Sequence, residues 1–204
     1  MPLRRAEILT RPPAPDAPAI LASLGAPDTA TRRLAARDLS LAGTLTAAER
    51  LHILGQHLRQ EADMGVREAL LTSLVEIGGV EAAETVAPLL ASHDSSLRNG
   101  ALAALRLLGP DAAGVATILR GAPHAAQRLL AAEIMRGWPP ADILPLLPGW
   151  LSCERDENIC GLLLELATQA GDATLLPVLA RLPRGGFIGF AAEEAACAIK
   201  ARGA

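Results

Sequence analysis

The side chains able to hold a metal gather in three consecutive stretches: His93, then His124, then Cys153 with Glu154, Asp156 and Glu157. Imidazole, thiolate and carboxylate are all zinc ligands. The three stretches fall between helical segments, on one edge of whatever those segments build. Neighbouring helical units stack about 10 Å apart, wider than the ligands of one ion tolerate. No tight pair such as His-x3-His is present. These residues are therefore read as surface loops, and no metal or other cofactor is expected.

Thiol chemistry is the second possibility. Cys153, Cys160 and Cys197 make an odd number without framework spacing, as expected of reduced thiols in a cytoplasmic protein. Cys153 and Cys160 are two helical turns apart, about 10 Å, too far for a disulfide within one helix. Cys160 is read as a small, partly buried residue. The other chemical signatures are missing: no Gly-x-Ser-x-Gly elbow, no phosphate-binding loop ending in Lys-Ser/Thr and no Rossmann fingerprint.

The remaining regular feature is cationic. Arg32, Arg67, Arg98 and Arg128 recur at 30 to 35 residues, and the first three sit in an Asp-x3-Arg-x10-Gly frame. The frames are Asp28/Arg32/Gly43, Asp63/Arg67/Gly78 and Asp94/Arg98/Gly109; a fourth, Asp156 to Gly171, carries Cys160 in the arginine slot. Such a series is either a basic ladder for an anion or a set of structural bridges. A guanidinium offers five donors in a fork, and at a fixed place in each unit it lies near the next unit's Asp, so the structural reading is preferred.

The frame also predicts the elements that position these residues. Each aspartate is a good N-cap, and each glycine is suited to a left-handed stop. Val66, Leu70, Leu74 and Ile77, and likewise Leu97, Ala101, Leu105 and Leu108, fall on one helical face. These first (A) helices alternate with shorter B helices. Thr46-x-x-Glu49 is a capping box opening one to about Arg59. Others are expected near 80–91, 110–120, 140–151 and 172–182, with Pro88, Pro145 and Pro177 at first turns or kinks. A short helix over 17–25 starts the stack. A last one over 187–202 closes it, with Phe187 and Phe190 as its core contacts. Residues 1–16, with four prolines, read as a loose leader before one domain over 17–204.

The segments DMGVREALLTSLVEIGG and DSSLRNGALAALRLLG, with EAAETVAPLLAS and DATLLPVLARL, resemble HEAT repeats, most closely the short phycobilisome-lyase type. The resemblance covers about 28–202. It implies an all-α, right-handed α-α superhelix of about five helix pairs, with A helices outside and B helices lining a concave face. Tetratricopeptide and ankyrin signatures are absent. Di-iron hydroxylases of this class carry His-Glu pairs, and this chain has none. HEAT-like DNA glycosylases hold the duplex on a basic face. Here the formal charge is −3, which disfavours nucleic acid. Bilin lyases would need a chromophore pocket, for which Trp138, Trp150, Pro145 and Pro148 are the candidates; packing of both tryptophans between units is preferred.

Half of the residues are hydrophobic and only 2% aromatic, as close helix packing requires. No uninterrupted apolar run of about eighteen residues occurs, so no membrane span is expected. The function expected is a non-enzymatic scaffold or adaptor binding a protein partner on the concave face. Its anchors would be His52, Gln56 and Arg59, then Glu81 and Glu84, then Trp150. A small-molecule ligand is the alternative.

Overall fold

Aspartate side chains open the A helices as their spacing predicts. In the computed structural model, which describes residues 16–203, Asp28 precedes α2 (Thr29–Ser40) and accepts from Thr31 N–H at 2.8 Å. Asp63 does the same for α4 (Met64–Ile77) through Val66 N–H at 3.0 Å. Asp94 caps α6 (Ser95–Leu108) and Asp156 caps α11 (Glu157–Ala170). Each cap gives a partner to a backbone donor that the helix itself cannot satisfy. Asp16 plays this part for α1 (Ala17–Leu24). The leader proposed over 1–16 otherwise lies outside the described residues.

The B elements carry the corrections. Only α3 (Ala47–Gln60) is one unbroken helix, and the Thr46/Glu49 capping box is fully formed. The others are segmented. α5 (Gly79–Val86) tightens into a 3-10 turn over Ala87–Ala91 that contains Pro88. α7 (Ala113–Arg120) is entered through a 3-10 turn containing Pro110. After α8 (Ala125–Met135), Pro145 separates α9 (Pro140–Ile143) from α10 (Leu147–Cys153). A further 3-10 turn leads into α12 (Leu176–Leu179), with Pro177 in its first turn, and α13 (Gly186–Arg202) follows. Proline lacks the N–H that an α-helical interior needs, so each of these stretches breaks into a turn and a short helix.

The stop glycines differ from expectation at one position. Gly78 and Gly109 hold φ of +70° and +60°, where L side chains are strained. Gly43 does not. α2 ends three residues earlier, where Leu41 N–H and Ala42 N–H fold back onto Asp38 O and Leu39 O. That turn buries Ala42 and leaves Gly43 exposed with open space around it.

Among the described residues the fold is all-α. They form two compact units, one ending at Ser73 and the next beginning at Leu74, within α4. In the first unit Ile20, Leu39, Leu54, Leu58 and Leu70 are fully buried; in the second, Leu74, Leu105, Ile134, Leu147 and Leu151 are. One stretch, Ser95–Arg120, is long and apolar enough to pass as a membrane span. It turns at Gly109-Pro110 and carries Arg106, whose guanidinium pairs with Glu133 on α8.

Candidate functional site

Two arginines of the series bridge to a glutamate that stands just before the next unit's aspartate cap. Arg32 grips Glu61 along one guanidinium edge, Nε–Oε2 at 2.8 Å and Nη2–Oε1 at 3.0 Å. Arg128 holds Glu154 in the same way, at 2.9 and 3.0 Å. Each glutamate stands two residues before the next A-helix cap, Asp63 or Asp156. Each also accepts from the backbone: Glu61 from Ala62 and Asp63, Glu154 from Arg155 and Asp156. The facing arginine is the main reason both carboxylates ionise below their usual range, Glu154 at about 2. A Glu-x-Asp triplet before the helix is the signal that would have identified them; the same place holds Ser92 and Ala122 before α6 and α8.

A second regularity joins each arginine to its own loop. Every slot arginine donates to the carbonyl six residues upstream. Arg32 reaches Ala26 O at 3.0 Å, Arg67 reaches Glu61 O at 2.6 Å, Arg98 reaches Ser92 O at 2.7 Å and Arg128 reaches Ala122 O at 3.3 Å. Where the slot holds Cys160, Arg155 takes over and donates to Glu154 O at 2.9 Å. The cation has moved out of the helix into the loop.

Among the described residues no group of three His, Cys, Asp or Glu side chains is placed to hold a metal. Cys153 and Cys197 are exposed, while Cys160 is buried and its thiol is pushed up, first by desolvation and then by Glu154 and Asp156. His52 and Gln56 lie exposed on α3, joined at 2.9 Å, with Arg59 exposed one turn on. Glu81 and Glu84 are exposed on α5. Trp150 is not a surface anchor. It is 2% exposed, donates its indole N–H to Glu154 at 3.4 Å and receives the Arg120 guanidinium 5.4 Å from its ring centre. Trp138 is buried as well, so both tryptophans are part of the core.

The phenylalanines reverse the expectation too. Phe187 is 56% and Phe190 62% exposed. α13 makes its core contact instead with Gly189, Ala192, Ala195 and Ile199. A Cβ on Gly189 would meet the Arg184 carbonyl carbon at 2.6 Å, so this face approaches too closely for anything large and the rings turn outward. They stand three residues apart on one face of α13. They line a groove of about 540 Å³ with Leu129 of α8 and Gly161 of α11. Gly161 makes the seat: a Cβ there would lie 2.8 Å from Phe187 Cε1. The rim carries Glu133, Glu165 and Glu194 against Arg136, which bonds Glu165 at 2.7 Å. The groove is apolar in the middle and net acidic at its edge.

Comparison with known proteins gives likenesses among solved structures. No family model matches this chain, and no curated protein matches it. Among solved structures it is similar to an archaeal HEAT-like repeats protein from Thermococcus onnurineus NA1, at 20% identity and a TM-score of 0.47 over 89% of this chain and 86% of that one. It is also similar to an engineered protein, at 20% identity and a TM-score of 0.44 over 89% of this chain and 95% of that one. The all-α assignment rests on the chain's own element order.

Proposed function

We propose that this chain is a non-enzymatic interaction module whose main protein contact is the groove bounded by α8, α11 and α13. One observation carries the reading. The chain has four aromatic residues; both tryptophans are buried, and both phenylalanines are exposed side by side on α13. Exposed aromatics seated over a preorganised groove are the residues that supply most interface energy. The acidic rim selects the partner: an amphipathic helix that presents apolar residues to the two rings and basic residues to Glu165 and Glu194. His52, Gln56, Arg59, Glu81 and Glu84 are offered as polar contacts on other surfaces of the same partner or of a second one.

The test places a photo-crosslinking residue at position 190, and separately at the exposed position Ile118. The protein is then incubated with lysate of its native host. The reading expects one stoichiometric adduct from 190, none from 118, and loss of the adduct in the Phe187→Ser background with helicity unchanged. A partner that crosslinks from 118, or from α3, but not from 190 would overturn the groove assignment.

A further inference from the structure

The junction between α11 and α13 lacks the lock used at the two junctions built around Arg32–Glu61 and Arg128–Glu154. The slot that holds an arginine at those places holds Cys160. The loop position that holds Glu61 or Glu154, two residues before the next cap, holds Pro183, because Gly185 is the cap of α13. The same loop supplies Arg181 and Arg184. Both halves of the ion pair are therefore gone, and the loop charge has changed sign.

A cavity of about 550 Å³ opens at this place, lined by Leu151, Glu154, Arg155, Cys160, Arg181 and Leu182, with Val178 and Ile188 completing the apolar wall. Its size falls in the range of roughly 300–1,000 Å³ typical of small-molecule sites. The charges facing it do not cancel. Both oxygens of Glu154 are engaged by Arg128, by the Arg155 and Asp156 N–H groups and by the Trp150 indole, so its charge is already compensated. Arg155 directs its Nη1 to the Glu154 and Ser152 carbonyls, which leaves its other guanidinium nitrogens without a protein acceptor among the described residues. The Arg181 guanidinium has no hydrogen-bond or ion-pair partner among the described residues, and it stands at the edge of an apolar cavity. The Cys160 thiol, 6% exposed, forms part of the wall and carries no charge at neutral pH, since desolvation raises it further from ionising.

We infer that this cavity binds a small aliphatic carboxylate. Its tail packs on Leu151, Val178, Leu182 and Ile188. Its anionic head meets Arg181, with Arg155 alongside, and supplies the negative charge that a glutamate supplies in the locked junctions. A planar guanidinium and a carboxylate match as a two-bond fork, and the match is worth most where apolar walls exclude water. A neutral molecule of the same shape would leave the cations uncompensated. The site is separate from the α13 phenylalanine groove and stands or falls independently of it.

The experiment titrates the full chain with octanoate by calorimetry, beside 1-octanol as the neutral isostere. It also follows alkylation of Cys160 by iodoacetamide in a Cys153→Ser/Cys197→Ser background. The expected result is saturable, one-to-one octanoate binding that weakens by about tenfold or more in Arg181→Gln, the loss of one charge-assisted contact. Octanol should bind at least about tenfold more weakly than octanoate, and saturating octanoate should slow alkylation of Cys160. Cys160→Arg, which refills the slot, should abolish binding. Arg181 is on the surface, so its variant tests the site even where Cys160→Arg folds poorly. No saturable binding, equal affinity for octanol, full affinity in Arg181→Gln, or an unchanged alkylation rate would each overturn the inference.

Discussion

Arg128 and Glu154 face each other as a two-bond fork, and the carboxylate beneath the guanidinium is almost closed off from water, with its side chain 3% exposed. The same glutamate caps the turn into α11 and accepts from Trp150, so one side chain joins a helix start, a loop and a core indole. Arg128→Ala would leave that charge buried and unpaired. Breaking such a pair should lower unfolding stability by about 3 kcal/mol in urea titrations. Arg136→Ala, which removes the exposed pair with Glu165 (42% and 45% exposed), should cost less than about 1 kcal/mol. Equal losses in the two variants would deny Glu154 its role.

The pH dependence follows from the same pair. Glu154 ionises at about 2 in the fold against its usual 4.5, chiefly because Arg128 holds the carboxylate form. A depressed carboxylate contributes stability that is fully present above its unfolded value. That stability is lost as the pH falls toward the folded value. Stability should therefore fall steeply between pH 4.5 and about 2, with Glu61 contributing in the same direction. Glu154→Gln should flatten that part of the profile; an unchanged acid limb would assign the loss to other groups.

Gly161→Ala separates folding from binding. The added methyl meets only the far end of the exposed Phe187 ring, at 2.8 Å, so the ring can swing aside. Alanine in place of a mid-helix glycine gains roughly 0.5–1 kcal/mol. Thermal stability should hold or rise while capture of the α13 partner drops, since the seat of Phe187 is gone.

Two glycines at the same position of different frames should behave oppositely. Gly43 has no neighbour within 4 Å of a built Cβ and no positive φ, so Gly43→Ala should be neutral or stabilising by a few tenths of a kcal/mol. Gly171 also has an ordinary φ, −69°, but a Cβ there would press on the Ala167 carbonyl and lie 2.8 and 2.9 Å from Leu175 and Ile199. Gly171→Ala should cost about 2 kcal/mol by overpacking, measured as a shift in the unfolding midpoint.

Thiol counting offers an independent check. Cys153 and Cys197 are exposed and Cys160 is buried with a raised thiol. Two thiols should react promptly with an aromatic disulfide reagent in the native protein, and the third slowly until denaturant is added. Three prompt thiols would mean that the α11–α13 junction is open in solution.

The helix starts were legible because a cap is a local event: Asp28, Asp63, Asp94 and Asp156 each bind an N–H two or three residues away. Gly78 and Gly109 were legible for the same reason. Burial was not. Helical phase places Trp150 outward, but phase cannot see the break around Pro145 that separates α9 from α10. Aromatic character alone places Phe187 and Phe190 inward. The close approach of Gly189 to the preceding loop, a long-range fact, turns them out. The ion pairs lay in between: the arginines were visible, but their acceptors are 26 and 29 residues away and not at the positions that looked acidic by pattern.

The placement of the two tryptophans has a spectroscopic side. Residues up to Ser73 contain no tryptophan, tyrosine or phenylalanine, and both tryptophans lie in the second unit. Ultraviolet emission is therefore blind to the first unit, while circular dichroism records the helices of both. If the two units melt at different temperatures, the ellipticity curve and the emission curve will separate. The emission curve will follow the unit that holds the Cys160 cavity and the α13 groove.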